Sequence, residues 1–143
     1  MRGLAAVGAG LAALFALAFG FEAAIGALIP TSMDAQGRVS SPAVLGLLLA
    51  AGVVSGAIAG WLTARLAVSR HMGHALFLAS IAVAVVMFIS ILNWDRAPGA
   101  YHLASWVLLP LACVAGASVR VQALRAQFGV AFDDDPWTVT DGA

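Results

Sequence analysis

The sequence predicts an all-α fold, an integral membrane bundle of four transmembrane helices with both termini in the cytoplasm. Three observations carry this. Hydrophobic residues make up 62% of the chain and charged residues only 10%, against about 45–50% and about 25% in soluble domains. The apolar residues gather into four stretches, each long enough to cross ~30 Å of hydrocarbon at about 1.5 Å per residue. No stretch sustains the alternation of a strand. In lipid the backbone must satisfy its own hydrogen bonds, which leaves helices.

The first helix is expected at about 4–29, closed by Pro30. Its basic start and the "ALA" at 16–18 also fit a secretory signal peptide. Apolar character continues to Ile29, however, well past a usual apolar signal region of about 7–15 residues, so it reads as an uncleaved span. The second is expected at 42–66, with Pro42 in its first turn. The third covers 75–92 and the fourth 103–124, with polar connections at 31–41, 67–74 and 93–102. These make a membrane domain of residues 1–125. Residues 126–143 read as a polar, flexible tail whose Asp133–Asp135 run is solvated. Arg2, Arg65, Arg70, Arg120 and Arg125 fall on one side, and Arg38 and Arg96 on the other. That excess places the termini inside and the two longer loops outside. Trp94, Tyr101 and Trp106 gather at the outer interface, the level aromatic rings prefer.

Several chemistries are excluded. Net charge is zero, so nothing points to nucleic acid. The single Cys113 rules out an intramolecular disulfide and cysteine-cluster metal sites. His71 and His74 are spaced as a metal pair, but no acid or thiol nearby completes a site. No P-loop, dinucleotide fingerprint, HExxH or Ser–His–Asp set is present. The expectation is no enzyme, no cofactor and no metal.

Two features stand out. The second helix carries Gly52, Gly56 and Gly60 at four-residue spacing. Such a face lets another helix approach closely, which matters in lipid, where little hydrophobic drive acts between helices. Matching small residues occur at Ala12, Ala16, Gly20 and Ala24 in the first helix and at Ala112 and Gly116 in the fourth. The glycines either pack the bundle internally or form an oligomer face. The second feature is Glu22, the one acid within the four spans. A carboxylate there is costly unless paired, neutralised or wetted, and is by default a functional candidate. Its candidate partners are Arg96, His102 and Asn93, with Arg38, all reaching back from loops. Pro110 interrupts the fourth helix as a packing kink.

Glu22 with Pro30, "GAIAGWLTARLA" at 56–67, and Trp106 with Gly116 together resemble a broad group of small four-helix bacterial inner-membrane proteins. The resemblance spans about residues 4–122 and implies the architecture and that location, without an activity. In that group a histidine often follows the acid by one turn. Here Gly26 stands there, which removes the basis for an acid–histidine metal or proton site.

The function expected is a non-catalytic multi-pass protein in the lipid bilayer, an accessory or self-associating bundle packed through its glycine face. Its partner would be a second copy or another membrane protein. The alternative is a small oligomeric transporter or channel using Glu22 as a proton or cation site.

Overall fold

A computed structural model describes residues 2–30, 34, 36–39 and 41–128. The chain is all-α. Four helices, α1 (Arg2–Leu28), α2 (Pro42–Leu66), α3 (His71–Leu92) and α4 (Gly99–Phe128), follow one another, with a short 3-10 turn at Trp94–Arg96. Each is long and apolar enough to cross a membrane. Only 22% to 33% of the residues in each most apolar window are buried within the chain. Leu4, Val54, Ile58, Phe88, Ile91, Leu92, Val107, Leu111 and Val119 are instead exposed, so each helix carries large apolar side chains on its outer surface.

The breaks follow from local chemistry. Pro30 lacks an N–H and pushes the residue before it out of helical geometry, so α1 stops before Ile29. Ser41 is extended and Pro42 occupies the first turn of α2, where its missing N–H costs nothing. α2 ends as Ala67 turns extended, its N–H donating to the Thr63 carbonyl. His71 then donates from Nδ1 to the Ala64 carbonyl at 2.8 Å, satisfying one of the carbonyls a helix end leaves open. Because a carbonyl only accepts, the Nδ1 must carry the proton. Arg70, at φ +49°, makes the tight reversal into α3.

Two helices begin earlier than the hydropathy suggests. α3 starts at His71 and α4 at Gly99, not at 75 and 103. The helical hydrogen-bond ladder continues through polar residues beyond the hydrocarbon, and hydropathy does not see that. His71 and His74 therefore sit in the first turn of α3 and not in a free turn. α4 runs through Pro110 as one helix. The tail from 129 onward, with its acidic run, lies outside the described residues.

α2 packs against the other three helices, most extensively against α4, while α3 packs on α4, and α1 on α2 and α3. The start of α1, the α2–α3 turn and the end of α4 share one end. Residues 37–39 and the 93–98 connection share the other. The interior is mostly alanine: Ala59, Ala79 and Ala82 join Val7, Leu14, Leu78, Leu109 and Cys113 in the central cluster. Ala64, Ala75 and Ala117 form another toward the termini.

The tightest contact joins α2 and α4. A Cβ on Gly60 would overlap the Cys113 carbonyl, and one on Gly116 would overlap the Ala57 carbonyl. Each glycine thus points a hydrogen at a carbonyl of the other helix, the arrangement of a weak Cα–H···O contact. One step along α2, a Cβ on Gly56 would lie 3.1 Å from Leu109 Cδ1 and 3.2 Å from Ala112 Cβ. A further step, at Gly52, it would meet nothing within 4 Å. The two helices touch backbone to backbone near the termini and splay apart toward the long loop. The stripe Ala12, Ala16, Gly20 and Ala24 on α1 faces outward instead; α1 meets α2 where Gly10 lies on Thr63.

Replacing Gly60 or Gly116 by alanine is expected to destabilise the bundle by about 1–3 kcal/mol, the usual cost of overpacking. Gly46→Ala, where a Cβ meets nothing within 4 Å, is expected to be neutral or stabilising by up to about 1 kcal/mol. Thermal unfolding in detergent checks both; equal effects at the two kinds of site would contradict the close contact.

Candidate functional site

The splay leaves a cavity of about 560 Å³ at the long-loop end. All four helices line it. Its span runs from Leu14 to Glu22 on α1, Leu45 to Val53 on α2, Val86 to Asn93 on α3 and Tyr101 to Leu109 on α4. Eight residues of helix rise about 12 Å, and this depth is nearly the same on each wall. The α2 wall is apolar throughout. The lower part is apolar too, with Phe15, Phe19, Leu48 and Val86. Polar groups collect at the mouth, namely Glu22, Ser90, Asn93, Arg96, Tyr101, His102 and Ser105. Below Leu14 and Leu109 the central core closes the space.

His102 is the best-buried of these, at 5% exposure. Its ring stacks on Trp94 at 4.9 Å and meets the edge of Tyr101 at 5.7 Å. Gly99 makes room for the indole, since a Cβ there would lie 3.2 Å from Trp94 Cζ2. Trp106 Nε1 donates to Ser90 Oγ at 3.2 Å, tying α4 to α3. Ser105 Oγ donates to the His102 carbonyl at 2.8 Å. His102 Nε2, however, is buried without a hydrogen-bond partner. A buried polar atom left in that state costs free energy.

The structure brings Glu22, Asn93, Arg96 and His102 onto one cavity. It does so without loops folding back, because α4 begins at Gly99 and carries His102 in its first turns. Glu22 stays accessible on the cavity lining. Among the described residues no ion pair or hydrogen bond holds the Glu22 carboxylate, and none holds the Arg96 guanidinium. Asn93 Nδ2 donates to the Ile89 carbonyl at 2.9 Å and closes α3. Gly52 lines the cavity, whereas Gly56, Gly60 and Gly116 pack between α2 and α4. Of the other polar lining residues, Ser105 is not singled out by the sequence, and Tyr101 reads there only as an interfacial ring.

Arg38 takes no part. Its Nε pairs with Asp34 Oδ2 at 2.8 Å. Asp34 Oδ1 also accepts the N–H groups of Gln36 and Arg38, at 2.9 Å and 2.8 Å. The turn needs Gly37, whose φ of +74° lies in the left-handed region. Val39, two residues after Gly37, is buried with Ile25 and Val44, and its N–H donates to the Arg96 carbonyl at 2.8 Å. The clip therefore seats Gly37 and Val39 at the cavity mouth, beside Arg96.

Among the described residues no group of three histidine, cysteine or acidic side chains could hold a metal ion. His71 caps α2, and His74 bonds the Arg70 carbonyl at 3.0 Å. Comparison with known proteins adds nothing further: no family model, curated protein or solved structure matches this chain.

The backbone N–H of Arg38, first among several donors, holds the Asp34 carboxyl below its ordinary value of 3.8. A depressed folded value contributes stability at neutral pH that is lost only as pH falls through that value. Hydrogen exchange at 36–39, corrected for intrinsic rates, is expected to stay slow down to the ordinary carboxylate range and to rise below it. Asp34→Asn is expected to loosen the same residues at every pH; unchanged protection would show that the clip does not hold the mouth.

Proposed function

We propose that this chain is a non-catalytic multi-pass membrane protein whose cavity binds one small amphiphilic molecule. The observation that carries the reading is the cavity itself. A space of about 560 Å³, apolar below and polar at one end, has the size and lining of a small-molecule site. Its apolar part lies at the depth of lipid chains and its polar part near the helix ends. The serine hydroxyls at the mouth are engaged in structural bonds from Trp106 and to the His102 carbonyl, and neither is hydrogen-bonded to a histidine ring or a carboxylate. That supports binding over catalysis.

The proposed setting is the bacterial inner membrane, with the termini cytoplasmic and the cavity opening outward. The arginine distribution and the resemblance of the Glu22–Pro30 and 56–67 segments support it. α4 occupies the glycine face of α2, so self-association through that face forms no part of the proposal. Transport through one copy by way of Glu22 is disfavoured, because the central core closes the space beneath the carboxylate. An accessory role beside another membrane protein is compatible with a cavity-bearing subunit.

Gly52→Phe tests the reading. A side chain there enters the cavity without meeting atoms within 4 Å of its Cβ. Native mass spectrometry of wild-type protein in gentle detergent is expected to show a retained amphiphile. The variant, with unchanged or higher thermal stability, is expected to retain at least tenfold less. Equal retention would overturn the proposal.

A further inference from the structure

The cavity lining carries two charged side chains, and they are of opposite sign. Glu22 stands on α1, and Arg96 on the 3-10 turn that leads into α4. They do not pair with one another, and among the described residues neither has another ionic partner. Both are exposed at the mouth and open to an incoming group.

From this charge pattern, and resting on the amphiphile reading above, we infer that the cavity recognises a zwitterionic phospholipid headgroup, an ammonium joined to a phosphate. The phosphate meets Arg96, whose planar fork suits it. The ammonium meets Glu22 beside the Tyr101 ring. An acyl chain runs down the apolar wall past Phe19, Leu48 and Phe15. A purely anionic head would face Glu22 with like charge and leave it unpaired. A purely cationic head would do the same to Arg96. A head with no charge would cover both side chains, exposed in this structure, and return no charge-assisted bond to either. Only a head carrying both signs satisfies the mouth.

The test uses the full chain in detergent, titrated by native mass spectrometry with three lipids of identical acyl chains. These are phosphatidylethanolamine, phosphatidylglycerol and diacylglycerol. Phosphatidylethanolamine is expected to bind at least tenfold more tightly than either of the others. Glu22→Gln is expected to erase its advantage over phosphatidylglycerol, and Arg96→Gln its advantage over diacylglycerol. Circular dichroism confirms that each variant is folded. Equal binding of all three lipids, tighter binding of phosphatidylglycerol, or unchanged selectivity in folded Glu22→Gln and Arg96→Gln would overturn the headgroup assignment and leave the amphiphile cavity standing. Binding of none of the three, with no amphiphile retained by the wild type, would overturn both.

Discussion

Everything in this bundle depends on how closely α2 and α4 approach. In lipid, helices gain little from hiding apolar surface, because the solvent is apolar as well. Close van der Waals contact must hold them, and it is strongest where side chains are absent. Gly60 against the Cys113 carbonyl and Gly116 against the Ala57 carbonyl bring the two backbones together. Ala59, Ala64, Ala75 and Ala117 allow α3 to close around the same end. Away from that contact the two helices part toward the long-loop end. The sequence Gly60, Gly56, Gly52 records that divergence, from overlap through 3.1 Å contact to open space. The cavity is the geometric consequence of the contact, and filling it by drawing the long-loop ends together would force the glycine contact apart.

Much of this was legible in the residues. Four apolar stretches in lipid admit only helices, and Pro30 and Pro42 mark their breaks by rules that hold in any solvent. The small-residue spacing named the α2 face and its partner on α4. Other features were hidden for physical reasons. Hydropathy measures where a helix meets hydrocarbon, not where its hydrogen bonds begin, so the first turns of α3 and α4 were read as connections. Spacing gave Gly52 the same role as Gly56 and Gly60, because a pattern along one helix carries no information about the crossing angle with another. The stripe on α1 matched that of α2 equally well, yet Gly10 and Thr63 set the rotation of α1 and turned the stripe outward. Arg38 and Asp34 satisfy each other within one turn, a local pairing that takes Arg38 away from Glu22.

The divergence also explains why a carboxylate is tolerated in the first span. Glu22 lies about 9 Å of helix below Leu28, a depth where an unpaired charge facing hydrocarbon costs up to about 3 kcal/mol. Arg96, also on the cavity lining, is held by its carbonyl's bond from Val39 and by the 3-10 turn that follows α3. No ion pair between the two side chains closes the mouth. The proposed occupant would lie with its negative group toward Arg96 and its positive group toward Glu22. Both residues line the space that opens where α2 and α4 part beyond Gly60. The glycine contact near the termini and the acid near the long loop, far apart in sequence and in space, are therefore two ends of one mechanical arrangement.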